Sequence, residues 1–114
     1  MKDVDIKEQY EELTTQLKEI VPFKAFPTRE LVQTLRKKEH KITLKTELTI
    51  KDVYNSGDIT GIICVTEKQD DEALACALTH VIISDSNSLY KEIKDYQKKR
   101  IKRIHRLNQT GRNG

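Results

Sequence analysis

Tryptophan is absent from this chain of 114 residues; cysteine, proline and phenylalanine occur twice each, and glycine four times. These scarcities exclude several kinds of chemistry. Four isolated glycines cannot build a glycine-rich loop around a phosphate, and no dinucleotide-binding fingerprint is present. Neither a G-x-S-x-G nucleophile elbow nor an H-E-x-x-H zinc pair occurs. Cys64 and Cys76 form no C-x-x-C pair, and the first residues, Met1-Lys2-Asp3-Val4-Asp5, lack the apolar core of a secretory signal. Free thiols in a reducing compartment follow, with a cytoplasmic location as the expectation. No apolar run approaches the ~20 residues of a membrane span.

What remains is a chain with 34% charged and 36% hydrophobic residues. At this length one domain buries roughly two thirds of the surface that its unfolded chain exposes. The expected division is a single domain over 1–108 and a disordered basic tail over 109–114, which has two glycines and no apolar residue.

Residues 3–21 predict an amphipathic helix, because Ile6, Tyr10, Leu13, Leu17 and Ile20 recur at steps of four and three. Pro22 ends it. Residues 22–27 then read as a stiff linker whose Phe23 and Phe26 either plug the core or form a docking patch. Thr28 caps a short helix over 29–38 with Leu31, Val32 and Leu35 inward. A helix-turn-helix is disfavoured by the proline-bounded linker and by a second helix with few base-reading side chains.

Alternation of apolar and polar residues predicts a strand over 41–51, and turn residues at 55–58 and 69–72 separate it from strands over 59–67 and 73–83. The expected fold is therefore α+β: a three-stranded antiparallel meander flanked by N-terminal helices and one long C-terminal helix over 89–107. With hairpins centred near Ser56 and Asp70, the even-numbered residues from Ile42 to Ile82 share a buried face. The other face of strands two and three is also apolar: Gly61, Ile63, Val65, Ala75, Ala77 and Val81 lie there and call for a cover, either the C-terminal helix or a second copy of the chain, and self-association is the expectation because the third strand is an edge without proline or lysine.

The strongest functional signal is charge. Lys98, Lys99, Arg100, Lys102, Arg103, Arg106 and Arg112 follow one another without an acid, so the segment carries +7. The rest of the chain holds 14 basic and 18 acidic residues, a net of −4. Such a positive end attracts phosphate polymers or an acidic protein. The first six of those residues are the candidate nucleic-acid or acidic-partner surface.

Weaker constellations explain themselves without a ligand. Cys64, Cys76 and His80 share a face but lack the fourth ligand of a structural zinc site, so buried thiols are expected there. His40 and His105 have no triad partner. Asp70-Asp71-Glu72 suits a turn, and Asp85-Ser86-Asn87 opens like a calcium loop but fails at Leu89, where an oxygen ligand is required. No catalytic set, metal site or cofactor site is expected. The expectation is a small non-enzymatic binding protein that holds nucleic acid on its last helix and forms a homodimer through its sheet, with a module for an acidic protein partner as the alternative.

Overall fold

The computed structural model describes residues 6–68 and 71–113. It contains three helices and a five-stranded antiparallel sheet, in the order α1 (Ile6–Ile20), β1 (Phe23–Pro27), α2 (Arg29–Lys37), β2 (Leu48–Asn55), β3 (Ile62–Thr66), β4 (Ala75–Ala77), a 3-10 turn (Leu78–His80), β5 (Val81–Ile83) and α3 (Tyr90–Asn113). The α+β class and the long final helix stand as expected, whereas the three-stranded meander, β2-β3-β4, is only one side of a larger sheet that β1 and β5 extend beyond β2.

Strand order across the sheet is β4-β3-β2-β1-β5. The two edge strands are thus separated by only the 3-10 turn. In a flat sheet they would lie four strand spacings apart, about 19 Å. The four Cα steps from Ala77 to Val81 span at most about 14 Å when extended, and less in a 3-10 turn. The sheet must therefore curl until its edges approach each other. Its concave side holds Leu48, Ile50, Val53, Ile62, Cys64, Leu78 and Val81, closed over by Leu17 of α1 and Ile93 of α3.

Three local features displace the expected strands. Residues 41–47 are a loop because threonine hydroxyls turn the backbone: Thr43 N–H donates to Thr46 Oγ1 at 3.0 Å and Lys45 N–H to Thr43 Oγ1 at 3.1 Å. Leu44, expected inside, is exposed. A bulge between Ile50 and Asp52 then shifts the register, so Val53, not its even-numbered neighbours, pairs with Cys64 and is buried. The 3-10 turn flips the parity once more. Val81 and Ile83 point inward, while Ile82, expected in the core, is 54% exposed.

The presumed linker is β1, the strand that joins β2 to β5. Its Pro27 is tolerated for a geometric reason. Thr28 N–H donates to His80 O at 3.0 Å, which makes the adjacent Pro27–Val81 pair a non-hydrogen-bonded one, where a missing N–H breaks no ladder bond. Phe23 plugs the core, whereas Phe26 faces out opposite Ile82. α2 is as expected, with Thr28 Oγ1 accepting from Leu31 N–H at 3.3 Å. α3 runs on to Asn113, so 109–113 are helical where a disordered tail is predicted.

Candidate nucleic-acid interface

α3 divides its faces unequally. Ile93, Tyr96 and Arg100 are buried, with Gln97, Arg103 and Ile104 half-buried beside them. At ~100° per residue, the opposite face carries Lys91, Lys94, Lys98, Lys102, His105 and Arg106, all exposed. Lys94, Lys98, Lys102 and Arg106 follow one another at i, i+4, so their side chains rise along one line. From Lys91 to Arg106 the stripe is about 22 Å long. Asp95 lies within this stripe, one turn after Lys91, and pairs with Lys99 at 3.1 Å, and exposed Glu92 adjoins it.

The six predicted binding residues therefore separate. Lys98, Lys102 and Arg106 stand on the outward stripe. Lys99 is exposed but engaged by Asp95. Arg103 grips Asp58, its Nε at 3.1 Å from each carboxylate oxygen and its Nη2 also bonded to Oδ2. Arg100 corrects the expectation outright: it is 3% exposed and belongs to the interior. Its Nη1 donates to Asp58 O at 2.6 Å, Asp58 Oδ1 at 3.3 Å and Tyr10 Oη at 3.1 Å, and its Nη2 donates to Ile59 O at 2.7 Å. Lys91 and Lys94 extend the stripe beyond the run of cations that the sequence made conspicuous.

Arg100 and Arg103 together fix the loop 56–61 between β2 and β3. Gly61 allows the close approach, with φ at 75° and a position where an added Cβ would lie 2.5 Å from Tyr96 Oη and 2.9 Å from Arg100 Nε. Tyr96 Oη accepts from Ile62 N–H at 2.9 Å, and Tyr10 meets the Tyr96 ring edge-on with centroids 5.3 Å apart. Burial is the main cause that pushes the Tyr96 phenol up to about 12. The Arg103 hydrogen bonds are the main cause that holds the Asp58 carboxyl below its ordinary range. Within the loop, Ile59 is 86% exposed.

Between α1 and α3 runs a half-open groove of about 1190 Å3, with Tyr10, Leu13 and Tyr96 along it. Glu12, Glu92 and Asp95 line it together with Lys99, Lys102 and Arg106, so it presents no field of one sign.

The residues expected to mediate self-association also divide. Gly61 and Val81 are interior. Ile63, Val65 and Ala77 are half-buried and Ala75 is exposed, all on the convex side beside exposed Tyr54. The two sheet edges differ. Gln97 Nε2 donates to Leu78 O and Val81 O at 2.9 Å each, covering the edge at β5. Among the described residues no strand lies beyond β4. Thr66 N–H donates to Leu74 O, and strand alternation then turns the N–H and C=O groups of Ala75 and Ala77 away from β3.

Cys64 and Cys76 are direct cross-strand partners, as the second hairpin predicts, and both are buried free thiols. Burial raises both, Cys76 to about 11, and unreactive thiols result. His80 is half-buried at the 3-10 turn, and His40 Nε2 lies 3.7 Å from Glu72 Oε1. Among the described residues no three His, Cys, Asp or Glu side chains gather as a metal site would require, and no helix is long and apolar enough to cross a membrane. Of the acidic turn, Asp70 lies outside the described residues. Comparison with family models, with curated proteins and with solved structures finds no match for this chain.

Proposed function

We propose that this is a small non-enzymatic binding protein that holds nucleic acid against the outward stripe of α3. The observation that carries it is the segregation of charge on one helix. The cations that the fold needs, Arg100 and Arg103, are turned onto Asp58, and those left outward, Lys91, Lys94, Lys98, Lys102 and Arg106, form a line. A line of flexible cations suits a polyanion with regularly repeated charge, whose counterions it displaces.

Fluorescence anisotropy with labelled duplex DNA and single-stranded RNA tests this, with polyglutamate as competitor. Lys98→Glu with Lys102→Glu alters exposed positions only, so folding is kept and affinity for the nucleic acid falls at least tenfold, as removal of two phosphate contacts and introduction of two repulsive ones require. Equal binding by wild type and the double variant contradicts the proposal. Displacement by polyglutamate at matched charge, together with indifference to nucleic-acid length, favours the acidic protein partner instead.

Self-association through the sheet is a second part of the proposal, supported by the difference between the two edges. β4 is apolar, and it carries neither a lysine nor a proline to block a further strand; its three residues offer only a short edge to a partner. An antiparallel pairing of two β4 strands centred on Ala75 sets alanine against alanine and opposes no like charges.

A further inference from the structure

We propose that residues 36–45 form a second phosphate-binding surface, so that one chain bridges two duplex segments, one on this surface and one on the α3 stripe; this rests on the nucleic-acid function proposed for that stripe. The segment holds Arg36, Lys37, Lys38, Lys41 and Lys45 against one acid, Glu39, a net of +4. All five cations are exposed. Cations in the last turn of α2 complement its dipole, which accounts for Arg36 and Lys37. The dipole does not account for Lys41 and Lys45, which lie beyond the helix on the loop that leads to β2.

That loop is ordered by bonds of its own. Ile42 anchors it in the core at 4% exposure, Arg36 Nε donates to Ile42 O at 3.1 Å, and Thr46 N–H donates to Thr43 O at 3.0 Å. Two nearby acids are already engaged: Glu47 Oε1 lies 3.8 Å from Lys24 Nζ, and Glu72 Oε1 lies 3.7 Å from His40 Nε2. Among the described residues no ion pair engages Lys37, Lys38, Lys41 or Lys45. An ordered backbone with unpaired cations loses little entropy and breaks no ion pair when phosphates arrive.

The second surface is set apart from the first. β2 runs from Leu48, just after this loop, to Asn55, just before the loop 56–61 that Arg100 and Arg103 bond from α3. The strand's eight residues span about 23 Å, so the loop 41–47 and the anchorage of α3 lie at its opposite ends. Exposed acids stand beside the strand between them, Asp52 at 3.2 Å from Lys18 Nζ and Glu11 at 2.9 Å from Asn55 Nδ2. A single duplex laid along β2 from one surface to the other passes these carboxylates, whereas two separate segments avoid them.

The experiment uses the full chain, a duplex of about 20 base pairs tethered to beads and a fluorescent duplex of the same length in solution. Wild type should make the beads capture the free duplex. Lys41→Glu with Lys45→Glu should cut capture at least tenfold, while affinity for a single duplex and its salt dependence stay close to wild type. Lys41→Gln with Lys45→Gln, which only removes charge, should cut capture by a smaller factor, and a thermal melt verifies that both variants fold. Wild type that binds one duplex without capturing a second overturns the bridge but not the α3 surface, and wild type that binds no nucleic acid overturns both. Capture that survives Lys41→Glu with Lys45→Glu overturns the bridge as drawn and leaves it to a dimer paired through β4. A shallower salt slope for a single duplex in that variant puts both surfaces on one segment and overturns it too. Phosphatidylserine vesicles held through Lys41 and Lys45, with no duplex captured, overturn it and turn the loop, with exposed Leu44 at its tip, to a lipid surface.

Discussion

A buried arginine is costly to desolvate, and Arg100 keeps its place because carbonyls, a phenol and a carboxylate surround its guanidinium. Arg100→Met retains the aliphatic volume but strands those acceptors. A loss of about 3 kcal/mol in urea unfolding is expected, and Arg100→Lys should not restore it, since an ammonium cannot span Asp58 O and Ile59 O together. Asp58 gives a pH dependence of definite sign. Its folded-state carboxyl is held below the ordinary value, first by the Arg103 hydrogen bonds. The associated stability is complete above the unfolded carboxylate pKa of about 3.9 and disappears as pH falls through the lowered folded value. Asp58→Asn should therefore lower stability at neutral pH and flatten its decline below about pH 4, as read by chemical denaturation across that range. An unaltered acid limb would remove Asp58 from this role.

At the scale of elements, what was legible in the sequence is what local periodicity and capping decide. α1 announces itself through Tyr10, Leu13 and Leu17, and α2 through Thr28 and its inward Leu31, Val32 and Leu35. The sheet was less legible because closure of the curl overrides local pattern. Pro22 and Pro27 disguise β1 as a linker, although a proline in a non-hydrogen-bonded pair is harmless. The bulge near Lys51 and the turn at Leu78–His80 both invert which residues face inward, and neither carries a turn dipeptide. The basic run in α3 was plain. The burial of Arg100 had one signal, its place in the apolar stripe with Ile93, Tyr96 and Ile104, and Asp58, its carboxylate partner, had none. Edge behaviour belongs to this scale too. Ala75→Lys places a charge on exposed β4 and should leave the melting temperature of the monomer unchanged while abolishing any dimer seen by light scattering at tens of micromolar. Wild type that is monomeric at that concentration excludes pairing through β4.

The whole molecule is a modestly cationic body, net +3, whose charge is unevenly placed. One end carries the lysines and arginines of α3, and the remainder of the chain is net acidic. Under the proposed function this dipole would orient the protein toward a polyanion before contact and would lose its effect when salt shortens the Debye length. Five outward cations, Lys91, Lys94, Lys98, Lys102 and Arg106, set the scale of the response. The measurement that tests the account most directly is duplex affinity as a function of salt, for wild type and for the Lys98→Glu, Lys102→Glu variant. With all five cations on phosphates, the wild-type slope of log affinity against log salt is about −4.5, and the variant's is shallower by about 2. A wild-type slope near zero, or the same slope in both proteins, contradicts binding through the outward face of α3.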